Sequence, residues 1–276
     1  AATAVSLLPA LTPAASAASW TTPSLEKLVS WGIMRGDLNG NLNPDGAITR
    51  AEFVTLINRA FGYDKTGTVP FSDVNPTDWY YDDISIGYNT GYFNGTTGTT
   101  AAPYNTVTRE QAAVLISRNL MLDSQSGETM DFTDSRSIST WSRGLIASAV
   151  DEGIIRGYPD GSFRPTESIT RGQMAVMLVN AIGTPVNTSG DHTLGGVYGN
   201  VTVSADGVTL RDTTITGNLY ITGGLGKGYV NLENVTVLGK IVTCGAGESN
   251  AGNNSVLLRN VTAPALIVNS LAGQYV

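Results

Sequence analysis

The sequence predicts a multidomain chain, mainly α-helical up to residue 183 and all-β beyond it. Three observations predict this. One set of features recurs three times without gaps, each copy carries a helix-start signature at the same place, and after residue 183 the pattern changes to short β-branched runs with a weaker repeat of their own. At 276 residues the chain fits about two domains, on a prior of roughly 100–200 residues each.

Residues 1–19, AATAVSLLPALTPAASAAS, read as the apolar part and small-residue cleavage site of a secretory signal without its basic start, or as a flexible Ala/Ser/Pro-rich terminus. Both readings stay open. No later run reaches the roughly 18 apolar residues that a membrane span needs.

The repeats occupy about 20–63, 70–122 and 131–183. The third copy carries Trp141, Gly153-Ile154, Gly157, Gly161-Ser162-Phe163, Pro165 and Ile169-Thr170-Arg171. Counting back 121 residues gives Trp20, Gly32-Ile33, Gly36, Gly40, Leu42, Pro44 and Ile48-Thr49-Arg50. Counting back 62 gives Trp79, Gly91, Gly95, Pro103 and Val107-Thr108-Arg109. Each copy therefore reads as a Trp-led helix ended by Gly, a Gly/Pro/Asp/Asn loop, and a second helix with an apolar stripe such as Met174, Met177, Leu178 and Ile182.

The second helices start at Thr49, Thr108 and Thr170, followed three residues later by Glu52, Gln111 and Gln173. This is the capping box: the Thr hydroxyl accepts from a free helical N–H, and Glu or Gln reaches back to the cap N–H. The arginines between them, Arg50, Arg109 and Arg171, have no such structural explanation. A cation at the positive end of a helix is mildly unfavourable, so three in register point to anion binding through a planar fork suited to carboxylate or phosphate. The alternative is an intermotif salt bridge, for example to Asp73 or Asp134, which stand in Phe71-Ser72-Asp73 and Phe132-Thr133-Asp134 ahead of the second and third Trp. Trp20, Trp79 and Trp141 are either stacking platforms for sugar rings or core anchors.

Taken together, Phe-x-Asp, Trp, Gly-Ile, GYPDGSFRP at 157–165 and ITRxE/Q resemble the S-layer homology family over about residues 20–183. The resemblance implies a pseudo-threefold domain of three motifs that attaches exported proteins to a secondary cell-wall polysaccharide linked to peptidoglycan, often pyruvylated. It implies grooves between neighbouring motifs where Arg50, Arg109 and Arg171 reach the polymer's carboxylate. Trp20, Trp79, Trp141, Asp73 and Asp134 join these arginines as candidate polysaccharide-binding residues. The first motif lacks Phe-x-Asp, the second has Phe93-Asn94-Gly95-Thr96-Thr97-Gly98 in place of a GYPDG-like loop, and the third has Gly172 after its Arg. The grooves are therefore not expected to be equivalent.

A Thr/Gly/Asn-rich joint at 184–193 reads as a linker, and 194–276 as an all-β, right-handed parallel β-helix-like domain that is possibly truncated. Val208-x-Leu210, Val230-x-Leu232 and Val256-x-Leu258 recur at steps of 22 and 26 residues, and the alternation points both side chains inward. Asp212, Asn234 and Asn260 then share one turn, where stacked side chains can form a ladder. Asn200, Asn234 and Asn260 also open Asn-x-Thr triplets. Arg211, Glu233 and Arg259 share another position and read as an ion ladder rather than a catalytic cluster.

Other chemistries are weakly supported. The net charge of -7 argues against nucleic acid as a partner. One cysteine, Cys244, and one histidine, His192, leave no disulfide, no Cys-rich zinc site and no His-based metal site; Cys244 reads as a buried hydrophobe and His192 as a polar turn residue. Asp37-x-Asn39-x-Asn41 opens like a calcium loop, but Leu42 and Ile48 stand where Gly and Glu are needed. No cofactor or metal is expected, and no enzyme activity. The expected role is anchoring of an exported, cell-surface protein to the wall. A wall-anchored polysaccharide lyase or hydrolase, and a self-assembling surface-layer lattice protein, are the alternatives.

Overall fold

The computed structural model describes residues 20–37, 39–124, 130–245 and 256–268. Residues 1–19, read as a signal-peptide remnant or a flexible terminus, and the last residues, 269–276, lie outside them. Among the described residues six α-helices come first: α1 Thr22–Ser30, α2 Arg50–Phe61, α3 Tyr81–Thr90, α4 Arg109–Asn119, α5 Thr140–Asp151 and α6 Arg171–Ile182. Each motif supplies two. Trp141 lies inside α5, whereas Trp20 and Trp79 sit just ahead of α1 and α3.

All three capping boxes form. The N–H groups of Glu52, Gln111 and Gln173 donate to the Thr49, Thr108 and Thr170 hydroxyls, and the side chains of those residues accept from the cap N–H. Gly32, Gly91 and Gly153 end the first helices with φ of +72, +86 and +68°, which only glycine adopts freely.

The motifs interlock rather than fold separately. Ile48 N–H donates to Ile169 O, Val107 N–H to Ile48 O and Ile169 N–H to Val107 O, so the three ITR/VTR segments close a ring of backbone hydrogen bonds. The helices pair across motifs in the same sense: α1 packs on α6, α2 on α3 and α4 on α5. The apolar stripes meet inside, with Phe53, Ile57, Ile116, Met174 and Leu178 fully buried. The departure at Gly172 has a physical reason: a Cβ there would lie 2.6 Å from the Thr21 hydroxyl oxygen.

The β region is a solenoid of two parallel sheets. One holds β1 Thr184–Val186, β3 Val201–Val203, β5 Leu219–Ile221, β7 Lys240–Thr243 and β9 Ala265–Val268. The other holds β2 Gly190–Val197, β4 Val208–Ile215, β6 Val230–Val237 and β8 Val256–Thr262. Val208, Val230 and Val256 pair in register as the repeat requires. The boundary differs from expectation: 184–193 is not a linker, because β1 begins at Thr184 and Gly190 pairs with Val208. Its Gly/Thr/Asn composition hides a first coil whose register with the later ones is unmarked by a Val-x-Leu pair. His192 likewise sits in strand β2, not in a turn.

Both predicted ladders form. Asn260 Nδ2 donates to Asn234 Oδ1 and Asn234 Nδ2 to Asp212 Oδ1, each at 2.9 Å. These residues have φ of 52, 55 and 46°, a left-handed conformation that Asn and Asp tolerate better than other side-chain-bearing residues. Arg211 bridges Asp191 and Glu233, and Glu233 also accepts from Arg259, so the ion ladder is one step longer than the repeat indicated.

The solenoid grows directly out of the helical part. Thr202 Oγ1 donates to Ile182 O and Thr222 Oγ1 to Phe61 O, which satisfies carbonyls at the ends of α6 and α2. Cys244 is buried at this junction, and burial pushes its thiol up to about 12.

Candidate functional site

The predicted arginines leave the first position of each second helix and cross into the neighbouring motif. Arg171, from the third motif, donates from Nε to Leu42 O at 2.8 Å in the first. Arg50, from the first, donates from Nε to Ala101 O at 2.8 Å in the second. Leu42 and Ala101 hold the same place in their loops, so two arginines make one contact around the ring. Arg109 turns differently: its Nη2 donates to Arg156 O, and its guanidinium lies over the rings of Tyr158 and Phe163, 4.8 and 5.1 Å from their centroids. Arg50 stacks similarly on Phe93 at 4.9 Å.

Two of these arginines are buried, Arg50 and Arg109 being only 8% and 7% exposed, and Arg171 is partly buried. Burial is the main influence on both and lowers their proton affinity. Asp73 opposes it at Arg50, and Tyr158 chiefly opposes it at Arg109.

Two grooves follow from this crossing. One, of about 320 Å³, takes its wall from the first motif and receives Arg171 from the third and Trp79 from the second. The other, of about 430 Å³, takes its wall from the third motif and receives Arg109 from the second and Trp20 from the first. The walls correspond in register: Arg35 with Arg156, Glu52 with Gln173, and Leu56 with Met177. Each groove thus joins a predicted arginine to a predicted tryptophan.

The tryptophans are not core anchors. Trp20, Trp79 and Trp141 are 59%, 59% and 53% exposed, far from the burial a structural anchor shows. An exposed indole beside a cation and polar groups is a surface on which an apolar sugar face can stack.

Asp73 and Asp134 line neither groove. Each carboxylate accepts two backbone N–H groups from the loop of its own motif: Asp73 from Ala101 and Ala102, Asp134 from Phe163 and Arg164. Ala102 and Arg164 have φ of 53 and 59°, and the paired hydrogen bonds hold this strained turn. The intermotif salt bridge that does form runs from Arg171 to Glu52, at 2.7 Å, not to either aspartate.

Sequence reasoning passed over Arg35, Arg156 and Tyr158. Arg35-Gly36 and Arg156-Gly157 do stand in register, and that repetition was a usable signal. Tyr158 stands in GYPDGSFRP, but Asp37 and Thr96 hold its place in the other copies, so the repeat did not mark it as a site residue.

Comparison with known proteins follows the same division into three motifs. The family model "S-layer homology domain" matches residues 14–54, 70–113 and 131–175. The Surface-layer 125 kDa protein of Lysinibacillus sphaericus is 32% identical over 193 residues, 66% of this chain and 16% of that protein. The Amylopullulanase of Thermoanaerobacterium thermosulfurigenes is 33% identical over 165 residues, 58% of this chain and 9% of its own length. The Cellulosome-anchoring protein of Acetivibrio thermocellus is 28% identical over 158 residues, 54% of this chain and 34% of that protein. The chain spans well under two thirds of each of these relatives. The three matched segments each hold a tryptophan, a Gly-ended helix and an arginine at a capped helix start, and the chain therefore carries three tandem S-layer homology domains.

Proposed function

We propose that the chain anchors an exported protein non-covalently to the bacterial cell wall by binding a secondary cell-wall polysaccharide linked to peptidoglycan. Its three domains mark it as a cell-surface or secreted protein. Among the described residues no helix is long and apolar enough to cross a membrane. Cell-wall attachment through the three domains accords with the cellulosome-anchoring and surface-layer relatives.

The observation that carries the reading is the pairing, in each of two intermotif grooves, of a largely buried arginine with an exposed tryptophan from another motif. A guanidinium suits an anionic group such as a pyruvyl carboxylate, and the indole suits the sugar that bears it. The closed ring of hydrogen bonds supports treating the three domains as one pseudo-threefold unit whose grooves exist only when all three are present. The solenoid is read as non-catalytic, since Asp191, Arg211, Glu233 and Arg259 neutralise one another. The amylopullulanase shares too little of its length for its activity to be carried over.

Sedimentation with purified wall sacculi, before and after acid removal of the secondary polymer, tests this reading. Binding should be lost with the polymer, and lost again in the Arg50, Arg109 and Arg171 to Ala triple variant. Binding that survives the triple variant would keep the anchor and leave the arginines structural. No binding to any polymer-bearing wall would overturn the anchor. Ordered sheets on carbon grids would add self-assembly to the role.

A further inference from the structure

We infer that the residue three places after each capping Thr decides which grooves accept an anion: Glu52 closes the Arg171 groove with a carboxylate of its own, and Gln173 leaves the Arg109 groove open. The inference rests on the wall-polymer reading and assigns its anionic contact to one groove over the other.

The two grooves correspond wall for wall but differ in what the incoming guanidinium meets. Arg171 is satisfied on all three nitrogens: Nε donates to Leu42 O at 2.8 Å, Nη2 to Arg35 O at 3.3 Å and Nη1 to Glu52 Oε1 at 2.7 Å. Arg109 is 93% buried, yet its Nε has no acceptor, and no ion pair forms on it among the described residues. Leaving a buried cation without a counter-charge is costly, and an anionic group in the groove would balance Arg109, which no carboxylate of the lining does. The linings agree: the Arg171 groove holds Asp37 and Glu52 among its cations, while the Arg109 groove holds Arg109 and Arg156 with no carboxylate.

The chemistry of the cap explains the difference. Glu52 uses Oε2 for the Thr49 N–H and hydroxyl, and Oε1 remains an acceptor for Arg171. Gln173 uses its only acceptor, Oε1, on the Thr170 N–H. Its other atom is an amide donor, which cannot accept from a guanidinium. Capping needs one oxygen, so Glu and Gln are interchangeable for the fold and opposite for the groove.

The test is an exchange. Glu52→Gln, Gln173→Glu and the double exchange are titrated calorimetrically with a synthetic disaccharide carrying one pyruvyl ketal, and with the neutral disaccharide. Glu52→Gln should add one anion-dependent site. Gln173→Glu should weaken binding at the Arg109 groove about tenfold or more, as expected for losing a charge-assisted contact. The double exchange should restore the wild-type number of sites. A sugar phosphate titrated in parallel separates phosphate from carboxylate polymers, and binding of either that follows the variants supports the inference. Unchanged site number in Glu52→Gln together with unchanged affinity in Gln173→Glu overturns it while wall binding by the wild type stands. Absence of any binding by the wild type, to disaccharide and sacculi alike, overturns the anchor reading and this inference with it. Both substitutions place residues already found at that register, so melting curves should stay within a few degrees of wild type, and a variant that melts earlier is read through the double exchange.

Discussion

The Thr222 hydroxyl donates to the Phe61 carbonyl across 2.7 Å, joining the end of strand β5 to the end of α2, 161 residues earlier in the chain. Thr202 does the same for Ile182 at 2.8 Å. The helical and β parts are therefore one packed body at their junction, and the carbonyls that helix ends leave free are satisfied by strand side chains.

Replacing Thr222 with Val keeps the shape and removes the donor. The Phe61 carbonyl is then buried without this partner, at a cost of about 1–3 kcal/mol. Urea unfolding followed by far-ultraviolet dichroism should show the loss, and a splitting of the single transition into two would show that the junction couples the parts.

Thr108→Ala removes one capping bond from α4 and should lower stability by about 1 kcal/mol. Wall binding per folded molecule should be retained, because the Thr108 hydroxyl accepts from Gln111 rather than facing a ligand. Thermal melting and sacculus sedimentation on the same sample check both halves.

Asp134 holds the Phe163 and Arg164 N–H groups at 2.7 Å each. Asp134→Ala frees a turn whose Arg164 has φ of 59°, and the loss of two hydrogen bonds to a charged group should cost about 3 kcal/mol or more. Denaturation midpoints should fall far more than for Asp134→Asn, which keeps one acceptor.

Asn234 is the middle rung of the Asp212–Asn234–Asn260 ladder at φ of 55°. Asn234→Val loses the rung and forces a β-branched residue into the left-handed region, so it should destabilise by about 2 kcal/mol or more. Asn234→Gly loses only the rung and should be milder. A reversed order in chemical denaturation would sink the conformational argument.

Cys244 carries a thiol raised by burial from its ordinary value of 9.0 to about 12. Between those values the unfolded chain loses a proton that the folded chain keeps, so stability should fall as pH rises through that window. Native protein at neutral pH should resist iodoacetamide and label fully once denatured.

Much of this molecule was legible because its chemistry is local or periodic. The capping boxes at Thr49, Thr108 and Thr170 need only residues three apart, and an α-helix fixes their geometry once it forms. The Val-x-Leu repeat sets strand register because a one-residue slip would turn Val208, Val230 and Val256 outward. The Asn ladder follows from that register and from the left-handed turn that Asn tolerates.

The sequence by itself determined the three motifs, the helix starts and the coil register from residue 208 onward. The tertiary structure decided what the arginines and aspartates meet, because those partners lie in other motifs or other loops. Arg171 finds Glu52 across 119 residues, Asp134 turns to Phe163 and Arg164, and Arg109 alone of the three is left with a buried unpaired nitrogen. No spacing rule encodes such contacts: they arise when the ring of Ile48, Val107 and Ile169 closes and sets each helix start against its neighbour's loop.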